Sequence, residues 1–190
     1  SDVHGLRGFL EPLVYAHFVR RVVILGAEST GKSTLTRVLA EALGTAWVRE
    51  YGRDVYEREN GALGPAHFLE IARGHRALED EAITAPGVHR WVFSDTDAAT
   101  TLMWSHLLTG GALPELRALA DECRSRYAHA FLCDTDLPHE QDGWRANTEV
   151  RAVQQAFIRQ DLEARGVPFT LLRGSVPERV AQVRTVLGDE

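Results

Sequence analysis

The sequence predicts an α/β domain: a doubly wound, five-stranded parallel sheet with helices on both faces. Three observations predict it. Five short apolar runs recur from residue 21 onward. Longer stretches with apolar residues at helical spacing separate them. A glycine-bounded turn joins the first run to the first helical stretch. Short runs without polar alternation belong to strands covered on both sides, which is the habit of parallel sheets. Right-handed crossovers then wind the chain outward in both directions.

Residues 1–20 stand apart from this pattern. Phe9-Leu10, Leu13-Val14-Tyr15 and Phe18-Val19 are apolar clusters around Pro12. They are expected to form an arm or junction against the sheet edge, ahead of one domain over 21–190. The first strand is Arg21 to Leu25, and the first helix Thr34 to Leu43, ended by Gly44. Ala46 to Glu50 is a second strand. Gly52 to Asn60 is helical, and Pro65 to Ile83 is a long amphipathic helix with Phe68, Leu69, Ile71 and Ala72 inward. Trp91 to Asp95 is the third strand. Helices follow over Ala98 to Leu108 and Leu113 to Tyr127, parted by Gly110-Gly111. Ala128 to Asp134 is the fourth strand. Residues 137–147 are polar and read as a loop. Glu149 to Arg165 is a helix, Pro168 to Leu172 the fifth strand, and Pro177 to Leu187 the last helix, with proline in its first turn.

The chain has 190 residues, 44% of them hydrophobic and 25% charged, with a net charge of −6. That suits one soluble domain. It excludes a general nucleic-acid or membrane-surface binder. No apolar run reaches the length of a membrane span, and no signal-peptide core is seen. Cys123 and Cys133 make no metal pattern, so reduced thiols and a cytoplasmic setting are expected. The sequence sets no oligomeric state.

Between the first strand and first helix stands Gly26-Ala27-Glu28-Ser29-Thr30-Gly31-Lys32-Ser33-Thr34. The spacing G-x-x-x-x-G-K-S between strand and helix is a P-loop. Its glycines allow backbone angles that turn successive N–H groups inward on phosphate oxygens. The helix N-terminus adds a positive dipole end. Lys32 reaches the outer phosphates, and Ser33 offers a hydroxyl to Mg²⁺. Lys32 is the only lysine in the chain, although Lys and Arg together number 21. ATP with Mg²⁺ is therefore the expected nucleotide, held by residues 26 to 34.

In a doubly wound sheet the site lies beyond the carboxyl ends of the strands. Asp95 ends the third strand, where a second Mg²⁺-organising carboxylate belongs. Asp97 faces substrate or caps the next helix. Glu50 is a candidate general base or ribose ligand, and Arg53 a candidate grip on the acceptor. Asp142-Gly143 turns the loop that carries Trp144 and Arg145, and Arg145 is assigned as a lid arginine stabilising the moving phosphoryl group. His75 on the long helix reads first as structural. Adenine is expected near Gly174-Ser175, with Arg173 beside it.

The order of these motifs resembles the NadR-type ribosylnicotinamide kinase domain. G-A-E-S-T-G-K-S-T, E-Y-G-R at Glu50 to Arg53, Gly74-His75, D-T-D at Asp95 to Asp97, and D-x-P-x-x-x-D-G-x-R ending at Arg145 carry the resemblance over about residues 18–190. It implies a P-loop kinase fold. It also implies ATP-dependent phosphorylation of nicotinamide riboside to nicotinamide mononucleotide in NAD salvage. In that family an aromatic residue precedes E-Y-G-R and suits stacking on the nicotinamide ring. Here Arg49 holds that place, and Trp47, two residues earlier, takes the stacking assignment. Trp47, Glu50, Tyr51, Arg53, Asp95 and Asp97 are thus the expected substrate residues. Lys32, Asp95, Glu50 and Arg145 are the expected catalytic ones, and Ser33 and Asp95 the metal ligands. A kinase for another nucleoside or sugar, or a regulatory module that binds ATP or NAD, are the alternatives.

Overall fold

The structure is a computed structural model that describes residues 18–88, 90–136 and 148–188. The strands are β1 (Arg20–Leu25), β2 (Trp47–Val48), β3 (Trp91–Asp95), β4 (His129–Cys133) and β5 (Phe169–Leu172). Seven helices lie among the described residues. They are α1 (Lys32–Ala42), α2 (Gly52–Arg58), α3 (Pro65–Thr84), α4 (Ala98–Thr109), α5 (Pro114–Arg126), α6 (Thr148–Ala164) and α7 (Val176–Leu187).

The five strands form one sheet in the order β2-β3-β1-β4-β5. Every pairing is parallel, as expected. The central strand β1 is flanked by β3 and β4, and the chain reverses its winding direction there. That reversal opens a crevice beyond the end of β1.

Side-chain alternation along β1 divides the core. Val22 and Ile24 point to one face, where they pack with Phe93, Phe131 and Leu172 under Leu35 and Leu39 of α1 and Val183 and Leu187 of α7. Val23 and Leu25 point to the other face, with Ala130 and Leu132 under Met103 of α4 and Ile158 and Leu162 of α6. A third cluster joins α2, α3, α4 and α5 through Val55, Phe68, Leu69, Leu102 and Leu116. Strands buried on both faces cannot alternate with polar residues, which explains their continuous apolar reading.

The structure trims several expected elements. β2 has two residues, where five were expected, because only Trp47 and Val48 pair with β3. Helix α1 begins at Lys32, two residues early, so the motif lysine and serine belong to its first turn. Arg20 already belongs to β1, and Val19 is buried against Val48, Ile83 and Val92, so the expected arm hands over to the domain by residue 19. Residues 1–17 of that arm lie outside the described residues. No described helix is long and apolar enough to cross a membrane. Both cysteines are buried and unbridged, and burial pushes the Cys133 thiol up to about 11, which suits an inert core residue.

Candidate active site

The P-loop is held in shape by its own atoms and by two distant helices. Gly26 has φ 147°, and a Cβ there would stand 2.7 Å from Thr30 Oγ1 and 3.0 Å from the Cys133 carbonyl, so only glycine fits. Gly31 has φ 80° at the N-cap of α1. Thr30 Oγ1 and Lys32 Nζ both donate to the Ala27 carbonyl at 2.8 Å. Ser33 and Thr34 are exposed on the first turn of α1.

Helix α6 supplies three side chains to three successive loop residues. Gln155 Oε1 accepts from Ala27 N–H at 2.9 Å, and Gln154 Oε1 accepts from Glu28 N–H at 3.1 Å. Arg151 Nη2 donates to the Ser29 carbonyl at 3.3 Å. The spacing i, i+3, i+4 puts all three on one helix face. Gln155 Nε2 also donates to the Cys133 carbonyl at 2.9 Å, tying the loop to the end of β4. From α7, the fully buried Arg179 donates to the Thr30 carbonyl at 2.6 Å and the Asp134 carbonyl at 3.1 Å, and it pairs with Asp136. Asp136 in turn accepts from Gly174 N–H at 2.6 Å, and Arg173 Nε donates to Asp134 at 2.8 Å. None of these braces was read from the sequence. The available signals were polar residues on otherwise inward helix faces: Gln154-Gln155 beside Ile158, and Arg179 beside Val183.

The strand ends beside the loop gather the expected carboxylates. Asp95 closes β3 and is 1% exposed, and its Oδ1 has no hydrogen-bond partner among the described residues. Glu50 follows β2. Burial pushes its carboxyl above the usual range; nearby Lys32 opposes this, Asp95 adds to it, and Arg53 and His75 pull it back. Glu50, Lys32, Asp95, Arg53 and His75 are therefore one electrostatic group. Arg53 is exposed at its rim. Tyr51 lies over α3 at Gly74, where a Cβ has no room beside the ring.

Between Asp95 and Asp97 the chain makes a strained corner. Thr96 has φ 74°, an uncommon region for a β-branched residue. Its N–H donates to the Ile24 carbonyl at 3.1 Å. The corner leaves Asp95 at the strand end and turns Asp97 away.

Two expected substrate residues are not brought to the group. Asp97 is 4% exposed, and its Oδ1 accepts from Thr100 N–H at 2.8 Å, capping α4. Burial pushes its carboxyl up, with that N–H opposing. The helix-capping alternative is the one the geometry supports. Trp47 is half-buried and packs against the core cluster under α1 and α7. Glu50 lies past the end of β2, with its Oε1 and the side chain of Ile71 of α3 both within 4 Å of where a Cβ on Gly52 would stand. Arg49 is engaged in a two-point pair with Asp54 at 2.6 and 2.5 Å on the surface. Trp144 and Arg145 lie outside the described residues.

A P-loop built from Gly26 to Ser33, with acidic strand ends facing it, is the ground for comparison with known proteins. The profile of a family described as "AAA domain" matches residues 21–179. The chain belongs to this family. One relative is the trifunctional NAD biosynthesis/regulator protein NadR of Escherichia coli (strain K12). It is 38% identical over 158 residues, which is 80% of this chain and 38% of that protein. The resemblance read from the motifs is thus upheld by overall identity. A crystal structure of NadR protein in complex with NAD and AMP-PNP superposes with a TM-score of 0.79 at 20% identity, covering 100% of this chain and 55% of that one. A second NadR structure, in complex with NR, gives 0.78 at 21% identity, covering 100% and 57%. These similarities establish the family member's fold. The chain spans well under half the length of the NadR protein from Escherichia coli.

Proposed function

We propose that the chain is an ATP-dependent small-molecule kinase that transfers a phosphoryl group to nicotinamide riboside, giving nicotinamide mononucleotide. The observation that carries the reading is the P-loop after β1, with Lys32 in the first turn of α1, beside the carboxylate of Asp95 that closes the neighbouring strand β3. The loop and the end of β3 lie at the carboxyl ends of adjacent strands, with Glu50 just past β2, so donor and acceptor chemistry share one end of the sheet. The names of the relatives agree: NadR proteins are known with NR and with NAD and AMP-PNP.

The donor phosphates lie on residues 26 to 34, gripped by backbone N–H groups and Lys32. The donor set fits Mg²⁺: Ser33 gives a hydroxyl, and Asp95 has a buried carboxylate oxygen without a partner among the described residues. Mg²⁺ takes few protein oxygens and completes its shell with water and phosphate. When bound, it neutralises phosphate charge. Asp95 and Glu50 flank the acceptor hydroxyl, and one of them takes its proton. Tyr51 and Arg53 border the acceptor. Lys32 stabilises charge on the moving group, and Arg145 joins it from the loop. Adenine lies toward Gly174-Ser175 at the far side of the sheet. Two unbridged buried cysteines and a need for ATP suit the cytoplasm.

One observation favours a second reading, a kinase for a different nucleoside. Arg49, paired with Asp54, occupies the place of the expected stacking aromatic, and Trp47 is half-buried against a core cluster. A pure regulatory module has no need of a second carboxylate, Glu50, beside the one that closes β3. The test is ADP release from MgATP with nicotinamide riboside, other nucleosides, sugars and no acceptor. Release dependent on nicotinamide riboside supports the proposal. Release with another nucleoside moves it to the second reading, and ATP binding without acceptor-dependent release overturns both.

A further inference from the structure

The partners of the P-loop change kind along its length. Ala27 and Glu28 have their N–H groups taken by the side-chain oxygens of Gln155 and Gln154. Ser29 and Thr30 have their carbonyl groups taken instead, by the guanidinium donors of Arg151 and Arg179. The N–H groups of Thr30, Gly31, Lys32 and Ser33 have no partner among the described residues. The loop is thus held by its amides at the start, and by its carbonyls where the amides are left for a ligand.

A trans peptide is planar, and its C=O and N–H point in opposite directions. The Thr30 carbonyl shares one plane with the Gly31 N–H. Arg179 is fully buried and holds that carbonyl toward α7 at 2.6 Å. The Gly31 N–H is therefore turned to the opposite side of the loop. The Ser29 carbonyl, drawn toward Arg151 of α6 at 3.3 Å, turns the Thr30 N–H in the same manner. Ser29 and Gly31, on either side of Thr30, are left-handed at φ 57° and 80°. Backbone reversals of this kind gather successive N–H groups into an anion-binding nest.

The other end of the Arg179 fork is fixed too. Its Nη2 donates to the Asp134 carbonyl at 3.1 Å and pairs with Asp136 Oδ1. Asp136 Oδ2 accepts from Gly174 N–H at 2.6 Å, so the carboxylate is itself held. A guanidinium has donors only, set in a rigid plane. Seated at both ends, it cannot turn away from Thr30. Asp136 offsets its charge, so Arg179 gives the loop direction more than net charge. Burying a charge pair is a costly way to satisfy one carbonyl, which a neutral donor could do. The rigid fork is what a neutral donor lacks.

We propose that Arg179 is a positioning residue for the nucleotide: by fixing the Thr30–Gly31 peptide it aims the Gly31 N–H at a donor phosphate oxygen. The inference rests on the nucleotide side of the kinase reading and deepens it.

The test compares the parent chain with the double variant Arg179→Met, Asp136→Asn. Methionine fills the space without a donor for Thr30, and asparagine keeps an acceptor for Gly174 without leaving a buried charge unpaired. Binding of MgATP and of adenosine is measured without any acceptor, below the melting temperature of both proteins. The variant is expected to bind MgATP about tenfold or more weakly, with adenosine affinity within about twofold of the parent. The Gly31 amide proton, followed by NMR, should move downfield when MgAMP-PNP binds the parent and move less in the variant. A merely structural loss lowers the melting temperature and the folded fraction, and leaves that amide shift in the molecules that remain folded. Parent-like MgATP affinity overturns the proposal. So does an equal loss of adenosine affinity, or a Gly31 shift as large as in the parent. If the variant does not fold, the parent decides: a Gly31 amide that stays in place when MgAMP-PNP binds overturns the proposal. Failure of the kinase reading looks different. The parent then binds MgATP and transfers phosphate to no acceptor, and the binding comparison still decides the role of Arg179.

Discussion

The ring of Tyr51 rests directly on the backbone of α3 at Gly74, in the space a side chain at residue 74 would fill. The contact joins the turn after Glu50 to the helix that carries His75. Gly74 is mid-helix, where glycine normally weakens a helix, so its value lies in this close approach. Gly74→Ala gains helix propensity but drives a methyl into the ring. It is expected to destabilise the fold by about 1–3 kcal/mol in denaturant melts. It should also raise the acceptor KM and leave the MgATP KM alone. A more stable variant with unchanged kinetics would show the contact to be incidental.

Lys32 Nζ bonds to the Ala27 carbonyl at 2.8 Å, within its own loop. That bond is a resting partner from which the ammonium can swing to a phosphate. Lys32→Ala should lower kcat/KM by roughly 10²–10³ or more, as for loss of one transition-state donor. The melting temperature should hardly move. Retained ADP release would remove Lys32 from the mechanism.

Glu50 carries a pH prediction with a definite sign. Burial raises its carboxyl pKa in the folded state. The fold therefore favours the protonated form. The resulting stability is full below the unfolded pKa and is lost as pH rises through the folded pKa. Glu50→Gln removes this dependence. Melts between about pH 4 and pH 8 should show the variant gaining on the parent as pH rises. In turnover, the acid limb of kcat/KM should lie above the ordinary glutamate range. Glu50→Gln should abolish that limb and cost about 10²–10⁴ in rate if Glu50 is the base. An unshifted limb in the variant removes Glu50 from that role.

Thr96 stores strain at the corner between two aspartates, with φ 74°. Glycine adopts that angle freely. Thr96→Gly should therefore raise stability by up to about 1–3 kcal/mol, less the flexibility it gives the unfolded chain. It should lower kcat, because Asp95 is then less firmly aimed. A variant that is both more stable and fully active would show that the corner serves folding alone.

Gln155 bridges Ala27 N–H and the Cys133 carbonyl. Gln155→Ala leaves both groups without their side-chain partner. The expected cost is about 1–3 kcal/mol of stability and a raised MgATP KM, with the acceptor KM little changed.

How much of this was legible follows from distance along the chain. The P-loop is local as a motif: its nine residues are consecutive, and the strand and helix around them are periodic. The acidic strand ends Glu50 and Asp95 followed from one topological rule. Asp97 offered two readings, and the hydrogen bond from Thr100 N–H favours the cap. Trp47 was placed by strand alternation, whereas the strand stops at Val48 and the ring packs against the core cluster under α1 and α7. The braces were illegible for a different reason. Gln155 meets Ala27 across 128 positions, and Arg179 meets Thr30 across 149. Tyr127 and Glu79 are 48 apart. Each looks like an ordinary polar residue until the fold makes it a neighbour.

Arg179 has a consequence for how the molecule is made. The phosphate loop is written near the start of the domain, yet its Thr30 carbonyl is secured by a guanidinium on the last helix. Synthesis delivers the N-terminal part first. A nascent chain can form β1 and α1 early, but it holds an unfinished nucleotide cradle until α7 has left the ribosome. Competence to grip phosphate thus arrives late and all at once, as a mark that translation of the domain has run its course.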